Sequence, residues 1–500
     1  MTIAPDSEKA ARRKSDPGKL LFVTGLLIIL IAGLATRGPS LGKKSLWVDE
    51  VTTARLSLQG MGPALAYARK DVTPPLFYIF TSLAARFGDS ETLLRLPAFL
   101  FGLLGLGLIV WAGIVFLNRP MGGLVAGFLL LISPFHLYHS QDARMYSQLI
   151  ALTVLALGCE DRFWAAWRRG GRFERRPTAW LAGWTLATLL NLYTSYFAFF
   201  VLFGQGLSIL YRLGRSRSKP GLRILLLAWA IAAVVLWLGY LPWLGATFDF
   251  LNQYGGDSME KTAPPGLKTL ALTFQVFGPQ SAFGGLLFAA LALAGLFYSG
   301  RLARLFVFQL IGPTLYLAVS SPSHFFAPRY LAFLLPVYLL LVAAGLLNLS
   351  RWLRLSGPCL NLRQTLFAIF SGIVLLAASW SALDRYYRLE KQNWREAVAF
   401  LASHLQAGDR IMTGKNGVDY GVLYYLRRQR PTFPVEFLPR IKTAEQVEEQ
   451  IERPGRIWFI HAWRKTTSSR LLLTVYDHFH LMGSYPAMND WGEIYIFLRE

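Results

Sequence analysis

The sequence predicts a polytopic α-helical membrane protein with about eleven transmembrane helices, followed by a small α/β domain outside the membrane. Two observations predict the membrane part: 54% of the 500 residues are hydrophobic and only 16% are charged, and apolar runs of spanning length recur from Leu20 to about Trp380. The chain after Asp384 is charged and lacks such runs, which predicts a separate domain. We therefore assign residues 1–383 to a membrane core and residues 384–500 to the α/β domain.

Basic residues set the expected orientation of the chain. The formal net charge is +22, and Lys and Arg lie mainly in short loops beside the apolar runs, as is typical of cytoplasmic loops near lipid headgroups. A basic N-terminal segment precedes the first run at about 20–36, which shows no clear cleavage site, so we expect a retained span and a cytoplasmic N-terminus. We expect a multi-pass protein of the plasma (inner) membrane, in contact with membrane lipids and with an extracytoplasmic C-terminal domain. No nucleic-acid-binding module is recognisable, so nucleic acid is not an expected partner.

An apolar stretch in the first outer loop decides the predicted topology. Pro74–Gly88 is about half as long as a helix that crosses roughly 30 Å of hydrocarbon, so we predict an interfacial helix there. Further spans are predicted at about 92–117, at 121–138, from near Tyr146, and, as the last one, at about 364–382. This assignment keeps the arginine-rich loop after Asp161 on the cytoplasmic side.

The C-terminal segment has the alternating pattern of a small α/β domain. NWREAVAFLASHL has the apolar spacing of a helix, RIMTG and RIWFIHAW have the pattern of buried strands, and GEIYIFLR that of an edge or final strand. The whole chain contains two cysteines, Cys159 and Cys359, which predicts no disulfide framework.

A carboxylate pair follows the first predicted span, in the sequence SLWVDE. Asp49 and Glu50 lie beside Trp47 near the membrane interface, where an acid is costly unless it is paired or used. A general base must be a carboxylate or imidazole within reach of the proton that it removes, and Asp49 is a good candidate. The alternative is a solvated loop that happens to contain two acids.

A second cluster, HLYHSQDARMY, lies at the outer end of the third predicted span. It contains His139 and Asp142, with Arg144 and Tyr146 following, and faces the same compartment as Asp49. If a metal is present, Asp49, Asp142 and His139 are its candidate ligands. The alternative is a pair of interfacial histidines, His136 and His139, with an Asp–Arg ion pair.

Basic residues on the outer side indicate an anionic ligand. HFFAPRYLAFLLP brings His324, Arg329 and Tyr330 to the start of a predicted span, where a guanidinium group can hold a phosphate through two hydrogen bonds. The alternative is an arginine that reaches ordinary lipid headgroups. The first outer loop adds further cations, against the usual charge bias: Lys43, Lys44, Arg55, Arg69 and Lys70.

These motifs together resemble the GT-C class of membrane glycosyltransferases, in the branch that contains the protein O-mannosyltransferases and the lipid A aminoarabinose transferases. The resemblance covers most of the chain. It rests on LWVDE after the first span, TPPLFY later in the same loop, YHSQDARMY before the fourth span, and APRYLAFLLP. LWVDE and YHSQDARMY are fairly specific in combination, whereas each motif alone is weak.

The resemblance implies roles for the residues of these motifs. The loop acid that activates the acceptor corresponds to Asp49 and, more loosely, to Glu50, and the second loop acid to Asp142. An arginine near the donor phosphate corresponds to Arg329, and the substrate-binding surroundings comprise Tyr330, Arg144, Tyr146 and His139. Many relatives have His or Lys immediately before the proline that is Pro74 here, but this chain has Thr73, which shifts the expected phosphate contact to Lys70 or Arg69.

The resemblance implies inverting transfer of a hexose or pentose from a polyprenyl-phosphate sugar to a protein, lipid or glycan acceptor on the outer face. We expect no cofactor to be required, with a divalent metal as the alternative, because arginine can neutralise the leaving phosphate by itself. A transporter or flippase of lipid-linked saccharides is a competing prediction. It is disfavoured because no acidic or basic residue lies well inside a predicted span. A polymerase or ligase that uses a lipid-diphosphate donor remains open.

Overall fold

The structure is a computed structural model. It describes residues 17–170, 175–216, 221–254, 266–319, 327–353, 362–414, 417–429, 434–462, 469–488 and 492–500. His324 and Cys359, both singled out in the sequence, lie outside these ranges, as does the basic N-terminal segment before Pro17.

The first 388 residues form helices throughout the described ranges. In chain order they are α1 Pro17–Arg37, α2 Val48–Leu58, α3 Met61–Ala68, α4 Leu76–Ala84, α5 Glu91–Leu117, α6 Pro120–Leu131, α7 Pro134–Ser140, α8 Tyr146–Gly170, α9 Arg175–Leu192, α10 Ala198–Gly214, α11 Leu222–Tyr254, α12 Leu267–Phe277, α13 Ala282–Leu296, α14 Gly300–Val319, α15 Leu335–Trp352 and α16 Leu362–Arg388. Short 3₁₀ turns at Ala85–Phe87 and Pro328–Leu334 follow α4 and precede α15.

Six helical segments in the described part of the chain are long and apolar enough to cross a membrane: Gly18–Arg37, Glu91–Leu117, Leu222–Asn252, Gly300–Val319, Pro328–Trp352 and Leu366–Arg388. Two bent pairs raise the number to eight if each is one span: α6 with α7, bent by 68°, and α12 with α13, bent by 100°. The polytopic helical fold is confirmed, whereas the count of about eleven stays a prediction. Helices α8 and α10 are not long and apolar enough by themselves, because α8 carries Glu160 and Asp161 and α10 has only 17 residues.

The third predicted span is broken near its outer end. Pro134 cannot continue the hydrogen-bond ladder of α6, and the Ser133 hydroxyl accepts a hydrogen bond from the His136 amide at 3.2 Å to start the new helix α7. The bend turns α7 by 68° relative to α6. His136 and His139 therefore lie on a short helix that runs across the end of α6 instead of extending it.

Pro74–Gly88, the predicted interfacial helix, forms α4 and the 3₁₀ turn after it. Its Phe77, Tyr78 and Thr81 are buried, and α4 packs against α2 and α5. The helical form is confirmed, and its position at the membrane interface stays a prediction.

Close packing of glycines fixes α15 in the centre of the helical region. A methyl group on Gly295 of α13 would lie 2.0 Å from the Leu341 carbonyl oxygen, and one on Gly345 of α15 would lie 1.9 Å from that of Leu291. The two backbones can approach this closely because both contact positions lack a side chain. Helix α15 also packs against α5, α6 and α8, and nearly all of it is buried.

The C-terminal residues form a five-stranded sheet with helices on both faces. The strands are β1 Arg410–Thr413, β2 Glu436–Phe437, β3 Ile457–Ala462, β4 His480–Tyr485 and β5 Ile494–Arg499, in the order β2-β1-β3-β5-β4. Strand β1 is parallel to β2 and β3, whereas β5 is antiparallel to β3 and β4. The helices are α17 Trp394–His404, α18 Val418–Gln429, α19 Ala444–Ile451 and α20 Ser469–His478. Helices α17 and α18 share one hydrophobic core with the sheet, and α19 and α20 share the other.

The helix at NWREAVAFLASHL and the strands at RIMTG and RIWFIHAW are confirmed as α17, β1 and β3. GEIYIFLR forms β5, which is the last strand along the chain but not an edge of the sheet, because β4 pairs with its outer side. The described edge strand β4 is largely exposed, whereas β5 is buried at all but its last residue.

The segment between α16 and α17, Leu389–Asn393, is here called the connector. It packs directly on the first loop: Lys44 Nζ donates to the Leu389 carbonyl at 2.5 Å, and the Ser45 amide donates to Glu390 Oε2 at 2.9 Å. Lys44 is therefore buried against the connector, although the sequence had suggested it for an anionic ligand. Helix α16 continues to Arg388, past the predicted boundary at residue 384, and the division into two domains stays a prediction.

Candidate active site

Four chain segments bring the motif residues to one end of the helical region. The N-terminus of α2 supplies Asp49 and Glu50, and the turn from α7 to α8 supplies Asp142. The 3₁₀ turn before α15 supplies Arg329, and the connector supplies Lys391. The candidate site is built where these segments contact one another.

Glu50 is completely buried in a network that fixes the first loop. Arg95 of α5 donates to both of its carboxylate oxygens, from Nε to Oε1 and from Nη2 to Oε2, each at 2.7 Å. Backbone amides of Trp47 and Ala143 also donate to it, at 3.2 and 2.7 Å. These contacts occupy the carboxylate, so they favour a positioning role for Glu50. Its predicted catalytic role stays a prediction.

Arg95 links this carboxylate to the loop before it. Its Nη1 donates to the carbonyls of Leu41 and Lys44 at 2.9 and 2.8 Å, and its Nη2 donates to that of Ser45 at 3.0 Å. The side chain is 1% exposed. Arg95 lies near the start of the second predicted span, where an arginine beside an apolar run is a functional or structural signal. This signal could have identified Arg95 from the sequence.

Asp142 is also buried, with three side chains around it. Trp47 Nε1 donates to Oδ1 at 2.7 Å, Lys391 Nζ lies 3.4 Å from Oδ1, and His139 Nδ1 lies 3.2 Å from Oδ2. Burial disfavours the charged carboxylate, but Lys391, His139 and Trp47 outweigh that cost and lower the pKa of Asp142. Asp142 is therefore ionised at neutral pH and tied to Trp47, two residues before Asp49.

Asp49 and Arg329 form the open part of the site. Arg329 Nη2 lies 3.7 Å from Asp49 Oδ2, and the two side chains are 27% and 30% exposed, whereas those of Glu50 and Asp142 are fully buried. The guanidinium group also lies 5.4 Å from the centre of the Trp47 ring and 5.5 Å from that of Tyr330. A carboxylate and a guanidinium group thus face the same accessible space.

The local environment makes Asp49 a stronger base than an ordinary aspartate. Desolvation raises the pKa of Asp49, Arg144 and Arg329 oppose that rise, and the negative charges of Asp142 and Asp71 reinforce it. The net direction is upward. A carboxylate with a raised pKa accepts a proton more readily near neutral pH, which suits a general base.

Arg144 reaches the position where the sequence departs from the related pattern. Its Nη2 donates to the Thr73 hydroxyl at 3.0 Å, and its Nη1 donates to the Thr53 hydroxyl at 3.4 Å. Both hydroxyls are uncharged, and Arg144 remains electrostatically coupled to Asp49. Arg144 therefore places a guanidinium group next to position 73, and the predicted phosphate contact of the exposed Arg69 or Lys70 stays a prediction.

The remaining predicted site residues lie around this centre. Tyr146 is buried, with its ring 4.6 Å from that of His139. Tyr330 is half-buried and stacks on Phe197 at 4.8 Å. Arg69 lies over the Trp243 ring at 5.9 Å. Lys70 is exposed at the end of the turn after α3, and its predicted role in substrate binding stays a prediction.

Lys391 was missed by the sequence analysis. Its ammonium group lies 3.7 Å from Glu50 Oε1 and 3.4 Å from Asp142 Oδ1, and it donates to the Gln141 carbonyl at 2.8 Å. Burial lowers the pKa of Lys391, and the two carboxylates oppose that shift. No local pattern in LEKQNW distinguishes this lysine from a surface lysine, so only the tertiary contacts identify it.

The side chains suggested as metal ligands do not converge on one point. In the part of the chain that the structure describes, no group of three His, Cys, Asp or Glu side chains is arranged to hold a metal ion. Asp49 faces Arg329, and His139 is bonded to Asp142 itself. The space between Glu50 and Asp142 holds the Lys391 ammonium group. The residues present therefore do not fit the predicted ligand set of Asp49, Asp142 and His139.

The fold was compared with solved structures. ArnT from Cupriavidus metallidurans in the apo state superimposes with a TM-score of 0.59 and 14% sequence identity, over 96% of this chain and 97% of that chain. The Archaeoglobus fulgidus oligosaccharyltransferase in the apo form gives a TM-score of 0.61 and 12% identity, over 95% of this chain and 75% of that chain. The chain has the GT-C fold. The expected resemblance is confirmed at the level of the GT-C architecture, and the aligned part covers nearly the whole chain.

No protein-family model and no curated protein matches the sequence. At 12–14% identity, the GT-C likeness establishes the fold alone. The reaction has to be argued from the site.

Proposed function

We propose that this GT-C protein is an inverting glycosyltransferase that moves a sugar from a polyprenyl-phosphate donor to an acceptor on the outer face of the membrane. The observation that carries the proposal is the open pair of Asp49 and Arg329, which offers a base and an anion-binding group to one accessible space. Solved structures with the same fold support the donor class. ArnT was crystallised with undecaprenyl phosphate, and the archaeal oligosaccharyltransferase AglB was solved in complex with an inhibitory peptide and a dolichol-phosphate.

Arg329 and Arg144 are the proposed phosphate-binding groups. Arg329 is accessible beside Asp49, and Arg144 supplies a second guanidinium group from the buried side through its contact with Thr73. Guanidinium groups bind phosphate oxygens through paired hydrogen bonds and stay charged at all relevant pH values. Together they stabilise the negative charge that develops on the departing phosphate.

Asp49 is the proposed general base. The acceptor oxygen attacks the anomeric carbon from the face opposite the phosphate, its proton passes to Asp49, and the bond from the anomeric carbon to the phosphate oxygen breaks with its electron pair on the phosphate. This single displacement inverts the anomeric configuration. The raised pKa of Asp49 increases its ability to take the proton.

Glu50 and Asp142 are proposed to position the site without touching the reacting atoms. Glu50 fixes the start of α2 through Arg95, and Asp142 fixes the Trp47 indole, so both hold Asp49 at the open face. Trp47 in turn lies under Arg329. The two buried acids therefore set the direction in which Asp49 points.

The charge distribution in the sequence supports an outward-facing site in the plasma (inner) membrane, because the arginine-rich loops would then be cytoplasmic. A protein, a lipid and a glycan each offer a hydroxyl that fits this reaction. Helix α18 of the C-terminal sheet domain packs against α2. This domain is the proposed acceptor-recognition element.

The test is transfer by purified protein reconstituted in liposomes. A panel of radiolabelled polyprenyl-phosphate hexoses and pentoses is supplied with envelope acceptors, and the label that leaves the lipid and the anomeric configuration of the product are measured. We expect an inverted product from one donor, and loss of transfer in Asp49→Asn. The matched control is Asp384→Asn, the same change at an exposed surface ion pair with Arg388. A product of retained configuration, or transfer by Asp49→Asn at the wild-type rate, would contradict the proposal.

A further inference from the structure

The ammonium group of Lys391 is buried in the candidate site. Its side chain is 0% exposed, it lies between two fully buried carboxylates, and the ring of Tyr138 covers it at 4.3 Å. Lysine is almost never fully buried unless it is paired. The position of Lys391 therefore depends on its pairing with the two carboxylates and not on local packing alone.

Oxygen atoms surround the ammonium group. Asp142 Oδ1, Glu50 Oε1 and the Gln141 carbonyl oxygen lie 3.4, 3.7 and 2.8 Å from Nζ. Two carboxylates and a carbonyl are the ligands that Mg²⁺ and Mn²⁺ prefer. One structure of the archaeal oligosaccharyltransferase of this fold contains Zn and sulfate. We therefore compare the surroundings of the Lys391 ammonium group with those of a bound cation.

The two carboxylates depend on Lys391 to different degrees. Glu50 has the guanidinium group of Arg95 bound at both oxygens. Asp142 has a hydrogen bond from Trp47 and contact with His139, and Lys391 is the only lysine or arginine that the described contacts place against it. A buried carboxylate without a cation is strongly destabilised. The Lys391 ammonium group is thus the compensating charge for Asp142.

We propose that Lys391 is a positioning residue whose ammonium group takes the position of a divalent cation between the carboxylates of Glu50 and Asp142. The site then pairs its two buried acids with an internal cation and without a metal at this point. The activity consequence rests on the proposed glycosyl transfer, whereas the metal-binding consequence does not.

The connector ties this cation to the C-terminal domain. The Val48 amide donates to Gln392 Oε1 at 2.7 Å, and the Gln392 side chain also accepts from the Trp394 indole at 3.0 Å, at the start of α17. Trp394 is fully buried in the core that α17 and α18 share with the sheet. Docking of the sheet domain therefore delivers Lys391 to the site, and the domain contributes to the site itself.

The experiment measures Mn²⁺ binding to the purified full-length protein by electron paramagnetic resonance, with sugar transfer followed in parallel. The variants are Lys391→Met, which keeps the length without the charge, Lys391→Gln as a second neutral variant, and Lys391→Arg, which keeps the charge. Lys442→Met is the control, because Lys442 is an exposed lysine of the same domain.

We expect no Asp142-dependent Mn²⁺ binding in the wild type, in Lys391→Arg or in Lys442→Met. Lys391→Met and Lys391→Gln are expected to gain one Mn²⁺ site that the additional change Asp142→Asn removes. Transfer by the neutral variants should fall by about 100-fold without metal, as for other buried charge pairs that lose one partner, and Mn²⁺ should restore part of it.

Two results would overturn the proposal. The first is Mn²⁺ bound to the wild-type protein at one site that Asp142→Asn abolishes. The second is a folded neutral variant, judged by its thermal unfolding, that gains no Mn²⁺ site. Failure of the proposed glycosyl transfer would appear separately, as absence of transfer by the wild type with every donor, and would leave the Mn²⁺ result to decide the role of Lys391.

Discussion

Asp49 and Glu50 are neighbours in the sequence but occupy opposite environments in the structure. Glu50 is buried and bound at both oxygens by Arg95, whereas Asp49 is 30% exposed and faces Arg329. Both lie in the first turn of α2, where consecutive side chains point about 100° apart around the helix axis. The candidate site therefore has a buried half, which sets geometry, and an open half, which is available for chemistry.

The largest expected effect is in the buried half. Arg95→Met leaves Glu50 buried without its bidentate partner, so the free energy of unfolding should fall by about 3–5 kcal/mol. Denaturant or thermal unfolding in detergent measures this. The control Arg388→Met removes a 76% exposed partner of Asp384 and should change stability by less than about 1 kcal/mol. Equal stability of the two variants would break the distinction between the two halves.

The open half should show the reverse behaviour. Arg329→Met is expected to lower transfer by about 100-fold, since one charge-assisted phosphate contact is lost, while stability changes by less than about 1 kcal/mol because the ion pair with Asp49 is accessible and 3.7 Å long. Initial rates against donor concentration, with thermal unfolding of the same preparations, make the comparison. An Arg329→Met protein that unfolds as easily as Arg95→Met would place Arg329 in the buried half.

The contact between Arg144 and Thr73 allows a compensation test. Arg144→Gln should lower kcat/KM by about 10- to 100-fold, because one cation near the phosphate is lost. Adding Thr73→Lys to that variant returns a cation to the same place and should recover about tenfold. Thr73→Lys alone should impair the enzyme. The Thr73 hydroxyl lies 3.0 Å from the Arg144 guanidinium group, so a lysine at this position would place two cations against each other. A double variant no better than Arg144→Gln would argue against a shared role.

The smallest expected effect concerns pH. Asp49 must be deprotonated to act as a base, so transfer should fall as the pH falls through its pKa. Because partial removal from water raises that pKa, the acid limb should lie above the ordinary aspartate value of about 3.9. Arg329 opposes the rise, so the limb of Arg329→Met should move to still higher pH. A limb at or below the ordinary value would contradict the environment described for Asp49.

The sequence was sufficient to predict the polytopic helical fold and the C-terminal segments that form α17, β1, β3 and β5. Its motifs also contain most residues of the candidate site, whose roles stay predictions. Spanning runs and charge alternation are local signals, and they put Asp49, Asp142 and Arg329 at the same end of the molecule. The bend at Pro134 was not predicted, because the apolar pattern of α6 continues through it. The position of β5 inside the sheet also depends on β4, whose weak pattern gave no signal.

The roles of individual charged residues could not be predicted in the same way. The difference between Asp49 and Glu50 depends on Arg95, which is 45 residues away, and that of Asp142 depends on Lys391. The Gln141 carbonyl that Lys391 binds is 250 residues before it in the chain. Such pairings are set by tertiary packing, so a periodicity or motif that spans ten residues cannot contain them.

The most direct test of the two-half account is to compare Asp49→Asn with Glu50→Gln in one set of assays: transfer, binding of the polyprenyl-phosphate donor, and thermal unfolding. The account predicts that Asp49→Asn loses transfer by about 1,000-fold while donor binding and unfolding temperature stay at wild-type values, and that Glu50→Gln loses stability. Transfer by Asp49→Asn at the wild-type rate, or a Glu50→Gln protein that is as stable as the wild type, would contradict it.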